Sequence, residues 1–205
     1  KISNMKELPQ FNNKKLLEQA FVHRSYLNEV AAKSGISHNE RLEFLGDAVL
    51  ELIITKYLYD NYPDSMEGEL TAYRSGLVNA NTLAKVSTDL KINDNLKLSK
   101  GESKDTNSKA RLNILADAYE AILGALYIDQ GYESCEKFVL DTLVPELAEI
   151  IKYGKHKDAK SMIQEKAQFK LGCTPTYKVI REEGPDHNKR FIIGIYFDNV
   201  LISEG

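Results

Sequence analysis

Three carboxylates spaced by three and four residues set the first chemical constraint on this 205-residue chain. Glu40, Glu43 and Asp47 fall within His38-Asn39-Glu40-Arg41-Leu42-Glu43-Phe44-Leu45-Gly46-Asp47-Ala48-Val49-Leu50. On a helix this spacing puts all three on one narrow stripe. The rest of the segment is mostly apolar: Leu42, Phe44, Leu45, Ala48, Val49, Leu50, Leu52, Ile53 and Ile54. Such a helix must be largely buried, and ionised carboxylates on it are costly unless a cation compensates them. Ile114-Leu115-Ala116-Asp117-Ala118-Tyr119-Glu120-Ala121-Ile122-Leu123 repeats the pattern, with Asp117 and Glu120 three apart. If the two stripes face each other, up to five carboxylates meet in an apolar frame. Hard divalent cations such as Mg²⁺ prefer all-oxygen sites of this kind. Carboxylate-held Mg²⁺ commonly serves phosphoryl chemistry, by activating water and stabilising charge on phosphate oxygens. The competing explanation for these acids is a buried ion-pair network.

The elements that must position these acids are readable from periodicity and breakers. Residues 11–32 read as a helical segment starting near Asn12 or Asn13, followed by a polar break over Lys33–Ser37. The first acidic helix runs from about Asn39 to Tyr59. Asn61-Tyr62-Pro63-Asp64 stops it, because proline disfavours helix at the preceding residue. Helical segments follow near 67–79 and 80–90. Ser99 to Arg111 is polar and is expected to be a loop. The second acidic helix spans 111–129 and ends before Gly131, and another covers about 132–152 with Pro145 as a kink or boundary. The first part is therefore all-helical. Lys152-Tyr153-Gly154-Lys155-His156-Lys157-Asp158 reads as a basic linker. Beyond it, 159–171 looks helical, while Thr176–Glu182 and Arg190–Phe197 carry the β-branched and aromatic residues of strands. Asp198-Asn199 is a hairpin turn before Val200-Leu201-Ile202.

Composition narrows the class. With 42% hydrophobic and 28% charged residues the chain is globular. No apolar run approaches a membrane span, and Lys1–Gln10 is too polar for a signal peptide, which points to the cytoplasm. Cys135 and Cys173 lack metal-binding spacing, so neither a disulfide framework nor a zinc site is expected. The chain begins with Lys1, so a preceding segment is expected. Charge is split: residues 1–150 hold 17 Lys+Arg and 23 Asp+Glu, a net of −6, and residues 151–205 hold 10 and 7, a net of +3. An acidic part followed by a basic part suits an anionic ligand held on local basic surfaces.

The segment His38–Asp47 resembles the signature of the ribonuclease III nucleases. Phe21-Val22-His23-Arg24-Ser25-Tyr26 is similar to the family's early helix. Glu67-Gly68-Glu69-Leu70-Thr71 and Arg74-Ser75-Gly76-Leu77-Val78-Asn79 are similar to its middle motif, and Ile114–Ala121 to its second acidic motif. The four matches occur in the family's order over roughly residues 10–150. Asp158-Ala159-Lys160-Ser161, Gln164-Glu165 and Gly184-Pro185-Asp186-His187 resemble the start of a double-stranded-RNA-binding domain. The resemblance implies a fold of two parts: an all-α nuclease domain (1–152) and, after a linker (153–157), a small α+β double-stranded-RNA-binding domain (158–205). In the second part a helix precedes a three-stranded antiparallel sheet. The family's final helix, which opens with a basic phosphate-binding cluster, would follow Gly205, so the expectation is either a longer protein or an incomplete domain.

The activity implied is Mg²⁺-dependent endonucleolytic cleavage of double-stranded RNA, with Mn²⁺ as a substitute. The products would carry 5′-phosphates and short 3′ overhangs, and the substrates would be ribosomal and other structured precursor RNAs. By resemblance Glu43, Asp47, Asp117 and Glu120 are the metal ligands, with Asp47 and Glu120 catalytic and Glu120 the most sensitive. Glu40 and Glu67 are supporting acids. Their ordinary alternatives are an ion pair of Glu40 with Arg41 or Arg24, and a helix-first-turn acid for Glu67. Phe44 is a dimer contact by resemblance and a core residue by composition. Ser161, Gln164, Glu165 and Gln168 would face RNA from the helix of the second domain, and His187 would enter a minor groove from a loop. Arg74, Lys109 and Arg111 could touch phosphates, but a solvated face is the expected setting for any one of them. The partners implied are double-stranded RNA and a second copy of the chain. The functional alternatives are a non-cleaving RNA-binding protein on the same scaffold and a purely structural helical dimerisation domain.

Overall fold

The computed structural model describes residues 7–30, 35, 37–106, 108–153, 159–185 and 189–205, without the side chains of Ala159, Ser161, Met162 and Glu165. The chain divides into two compact units, Lys1–His156 and Lys157–Gly205. His187 and linker residues Gly154–Lys157 lie outside the described residues.

The first unit is helical: α1 (Lys14–Ala20), a 3₁₀ turn (Arg24–Asn28), α2 (Glu40–Asn61), α3 (Glu67–Leu77), α4 (Ala80–Asp89), a second 3₁₀ turn (Ile92–Asn95), α5 (Lys100–Lys104), α6 (Lys109–Gln130), α7 (Tyr132–Thr142) and α8 (Glu146–Lys152). The two longest helices, α2 and α6, carry the acidic stripes and pack on each other along the middle of the unit. α2 buries about half of its circumference, through Leu42, Val49, Leu50, Ile53, Ile54 and Leu58, while α6 buries residues around most of its own, among them Leu115, Ala118, Tyr119, Ile122, Leu123 and Leu126. An apolar circumference of this kind is what a central helix needs.

Two glycines set the α2–α6 distance. A Cβ on Gly46 would sit 1.8 Å from the Glu120 carbonyl oxygen, and one on Gly124 would sit 2.0 Å from that of Leu42. The two backbones are therefore in direct contact, and no other residue fits at either position. Tyr119 locks α6 to α7 from the far side. Its hydroxyl pairs with Thr142 Oγ1 at 2.8 Å and its ring stacks on Phe138.

Two departures from periodicity have local causes. The expected helix over 11–32 is only the short α1 followed by a 3₁₀ turn. Residues 21–23 are drawn into an extended bridge with Lys97, whose N–H donates to Phe21 O and whose carbonyl accepts from His23 N. His23 then caps the 3₁₀ turn, with Nδ1 accepting from Ser25 N. The expected loop over Ser99–Arg111 contains α5 and the start of α6. Its serines are caps: Ser99 Oγ accepts from Glu102 N and Ser108 Oγ from Arg111 N, the usual task of a serine at a helix start. Arg111, expected on a solvated face, is 7% exposed. Pro145 separates α7 from α8.

The second unit has α9 (Ala159–Leu171) followed by β1 (Thr176–Glu183), β2 (Arg190–Phe197) and β3 (Val200–Glu204), an antiparallel sheet in the order β1-β2-β3. Asp198 and Asn199, with φ of 45° and 68°, form the β2–β3 turn. This left-handed pair is the geometry that a two-residue hairpin demands. Val179, Phe191, Ile193, Val200, Leu201 and Ile202 of the sheet are exposed. The fold is thus the expected helical domain followed by a helix and a three-stranded antiparallel sheet. Among the described residues no helix is long and apolar enough to cross a membrane.

Candidate active site

The contact between Gly46 and Gly124 decides where the acids go. Glu43 and Asp47 flank Gly46 on α2, and Glu120 lies one turn before Gly124 on α6, so the closest approach of the two helices lies among the carboxylates. One oxygen each from Glu43, Asp117 and Glu120 lie within 4.8 Å of one another. All three residues are partly buried, and among the described residues none has an ion-pair partner.

The electrostatics follow from this crowding. Burial pushes the Glu120 carboxyl up to about 8, and the charges of Asp47, Asp117, Glu43 and Glu51 add to the effect. Glu43 is pushed up to about 7, first by burial and then by Asp117, Glu40 and Asp47. Asp117 is raised by burial and by Glu40. These are the signs expected of like charges sharing a low-dielectric site. Among the described residues no protein cation pairs with the three, as the ion-pair alternative would require. Three uncompensated carboxylates converging on one point form an all-oxygen, net-negative donor set, which fits a hard divalent cation and disfavours a soft one.

The remaining candidates are distributed as follows. Asp47 borders the trio and acts on both Glu43 and Glu120. Glu40 pairs with Arg24 at 3.0 Å and approaches His38 Nδ1 at 3.7 Å, while its charge still reaches Glu43 and Asp117. Glu67 is not brought to the trio. It accepts from Thr71 Oγ1 at 3.0 Å and lines a separate groove of about 220 Å³ with Thr55, Tyr59 and Arg74. Phe44 is 81% exposed, which removes it from the core. Gln164 and Gln168 are exposed on α9; Ser161 and Glu165 are on the same helix, with their side chains outside the described residues. Glu51 is the acid that sequence inspection passed over. It continues the Glu43–Asp47 stripe by another four residues, and that spacing could have flagged it.

Fold and site together define a class: a helical domain with a cluster of partly buried carboxylates that could hold a metal ion, followed by an α–β–β–β unit. The comparisons with known proteins resolve that class. The family model described as Ribonuclease-III-like matches residues 13–147, and that of the double-stranded RNA binding motif matches residues 159–205. The chain is 44% identical to the ribonuclease 3 of Streptococcus uberis over 196 residues, 96% of this chain and 84% of that protein. It is 41% identical to the ribonuclease 3 of Borreliella burgdorferi over 195 residues, 95% and 78% of the two. Among solved structures, the ribonuclease III nuclease domain of Campylobacter jejuni superposes with a TM-score of 0.57 at 38% identity, covering 64% of this chain and 87% of that one. The Dicer of Pichia stipitis matches with a TM-score of 0.54 at 25% identity, over 98% and 88%. The chain belongs to the ribonuclease III family, and its enzyme class is that of a double-strand-specific endoribonuclease.

Proposed function

We propose that Glu43, Asp47, Asp117 and Glu120 bind Mg²⁺, with Mn²⁺ as a substitute, and that the chain uses this site to hydrolyse phosphodiester bonds of duplex RNA. The observation that carries the proposal is the convergence of Glu43, Asp117 and Glu120 oxygens within 4.8 Å with no cationic partner among the described residues. Bound Mg²⁺ supplies charge stabilisation on the phosphate oxygens and a more acidic water. Glu120, the acid pushed highest, is the group whose proton must leave before a cation is held, so it sets the pH at which the site loads. Asp47 adds charge at the rim. Glu40, tethered by Arg24, and Glu67, in its own groove, assist by orientation. Attack of water on phosphorus with departure of the 3′-oxygen leaves a 5′-phosphate, and two such sites acting on opposite strands leave short 3′ overhangs. Structured precursor RNAs, ribosomal RNA among them, are the substrates we assign, and the cytoplasm the compartment. The domain limits we assign are 1–152, 153–157 and 158–205. Within it Ser161, Gln164, Glu165, Gln168 and His187 meet the minor groove.

Metal withdrawal tests the site directly. Cleavage of a long RNA duplex is expected to stop in EDTA and return with Mg²⁺. The Mg²⁺ concentration giving half-maximal rate should fall as pH rises from 6.5 to 8.5, because bound protons compete with the cation. An undiminished rate in EDTA would remove the metal from the mechanism. A folded chain that binds duplex RNA yet cuts none with Mg²⁺ present would support the non-cleaving alternative.

We further assign a homodimer built on α2. Phe44, Leu52 and Tyr59 are 81%, 57% and 74% exposed. At 100° per residue they fall within an arc of about 80°. An exposed apolar stripe of this size marks an interaction surface. The Campylobacter jejuni nuclease domain is itself described as having a region involved in dimer formation. Phe44→Asp is expected to shift the chain to monomer at micromolar concentration in analytical ultracentrifugation while leaving its circular dichroism unchanged. A dimer that survives this change would place the interface elsewhere.

A further inference from the structure

The stripe of acids on α2 does not end at Asp47. Glu51 lies four residues on, a rise of about 6 Å along the helix, and its charge is among those that act on Glu120. Unlike the trio, it is partnered. Arg74 Nε lies 3.1 Å from Glu51 Oε2, and Arg74 Nη1 donates to Thr55 Oγ1 at 3.0 Å. One guanidinium on α3 thus grips two residues one turn apart on α2. The two charged side chains are 36% and 39% exposed, so the pair adds little stability. The Glu51 charge nonetheless reaches Glu120 of the proposed cation site, where a field matters more than a contact.

We propose that the Glu51–Arg74 pair tunes divalent-cation affinity at the neighbouring carboxylate site, Arg74 holding Glu51 aside and offsetting part of its charge. This rests on the trio being a cation site. Losing Arg74 leaves an uncompensated carboxylate near the site and strengthens its attraction for a divalent ion. Losing the Glu51 charge leaves an uncompensated guanidinium and weakens it. Losing both restores the original balance. A single charge acting on a divalent ion across several ångströms of half-exposed protein changes affinity by about two- to fivefold.

The test is Mn²⁺ binding, read as free Mn²⁺ by electron paramagnetic resonance at pH 8 and low salt. The proteins are wild type, Arg74→Gln, Glu51→Gln and the double variant. Arg74→Gln is expected to tighten binding about two- to fivefold and Glu51→Gln to weaken it by a similar factor, with the double variant within about twofold of wild type. Both shifts should shrink in 0.5 M KCl, where screening is stronger. Opposite signs that cancel are the signature, because a merely structural role would weaken binding in both single variants. Single variants that move together, or that do not move while wild type binds Mn²⁺, would overturn the proposal. A wild type that binds no Mn²⁺ would remove the cation site, and this inference with it.

Discussion

Glu120→Gln is expected to slow duplex cleavage by on the order of a thousandfold while making the metal-free protein more stable above pH 8. The rate loss follows from removing one anionic oxygen donor from the centre of the trio, at a cost of several kcal/mol of transition-state stabilisation. The stability gain has the opposite origin. Glu120 and Glu43 are raised to about 8 and about 7, so the folded chain keeps protons that the unfolded chain releases near 4.5. A raised value means that the stabilisation is fully present below the unfolded value and is lost as pH rises through the folded one. The metal-free protein should therefore lose stability from about pH 5 upward, most steeply below pH 7 where both groups still hold their protons in the folded chain, and level off above about pH 8. Gln cannot ionise, so the variant should have a flatter profile and at pH 9 melt about 5 °C higher, as on the order of 2 kcal/mol gives a chain this size. Duplex cleavage assays and thermal melts in EDTA across pH 5–9 check both halves. A variant that cuts at wild-type rate would return Glu120 to a structural role. A variant that is inactive but melts lower at pH 9 would show that the wild-type acid is compensated after all.

The second large effect is steric. Gly46→Ala is expected to destabilise the first unit by about 3 kcal/mol or more, since the new methyl would sit 1.8 Å from the Glu120 carbonyl oxygen and only backbone separation could relieve it. Gly124→Ala should behave alike against Leu42. Gly68→Ala is the control, because a Cβ there meets nothing within 4 Å. Urea denaturation of the three variants is the measurement. The same displacement would spread Glu43 from Glu120, so Gly46→Ala should also lose cation affinity under conditions where it remains folded. An unchanged urea midpoint would mean that the two helices separate without cost, and that their contact does not set the site.

The acids at Glu40, Glu43 and Asp47 and at Asp117 and Glu120 declare themselves in the sequence, because helical spacing converts position along the chain into a shared face. A largely apolar run broken by those acids, with Arg41 and Glu51 besides, leaves few outcomes other than a buried helix with a compensated site. The division into an all-helical part and a helix-plus-strands part is equally local. It follows from apolar periodicity, from Pro63, Gly131 and Pro145 as breakers, and from the β-branched and aromatic runs of residues 176–202. What misled the sequence-level view was also local. The serines at 99 and 108 look like loop residues and act as caps. The helix expected over 11–32 yields to pairing with Lys97, a residue far along the chain.

What the tertiary structure alone decided is which side chains meet. Spacing says that Glu43 and Glu120 each lie on a stripe; it does not say that two glycines let the stripes close to within 4.8 Å. Nothing local sends Phe44 outward from an apolar helix, gives Glu51 to Arg74 or leaves Glu67 in its own groove. These outcomes depend on helix–helix approach, which is set by packing between residues distant in the chain. The sequence by itself determined the kinds of atoms available and the faces on which they stand. The distances between them, and with those the mutual repulsion that raises the carboxyls, exist only once α2 and α6 are in contact.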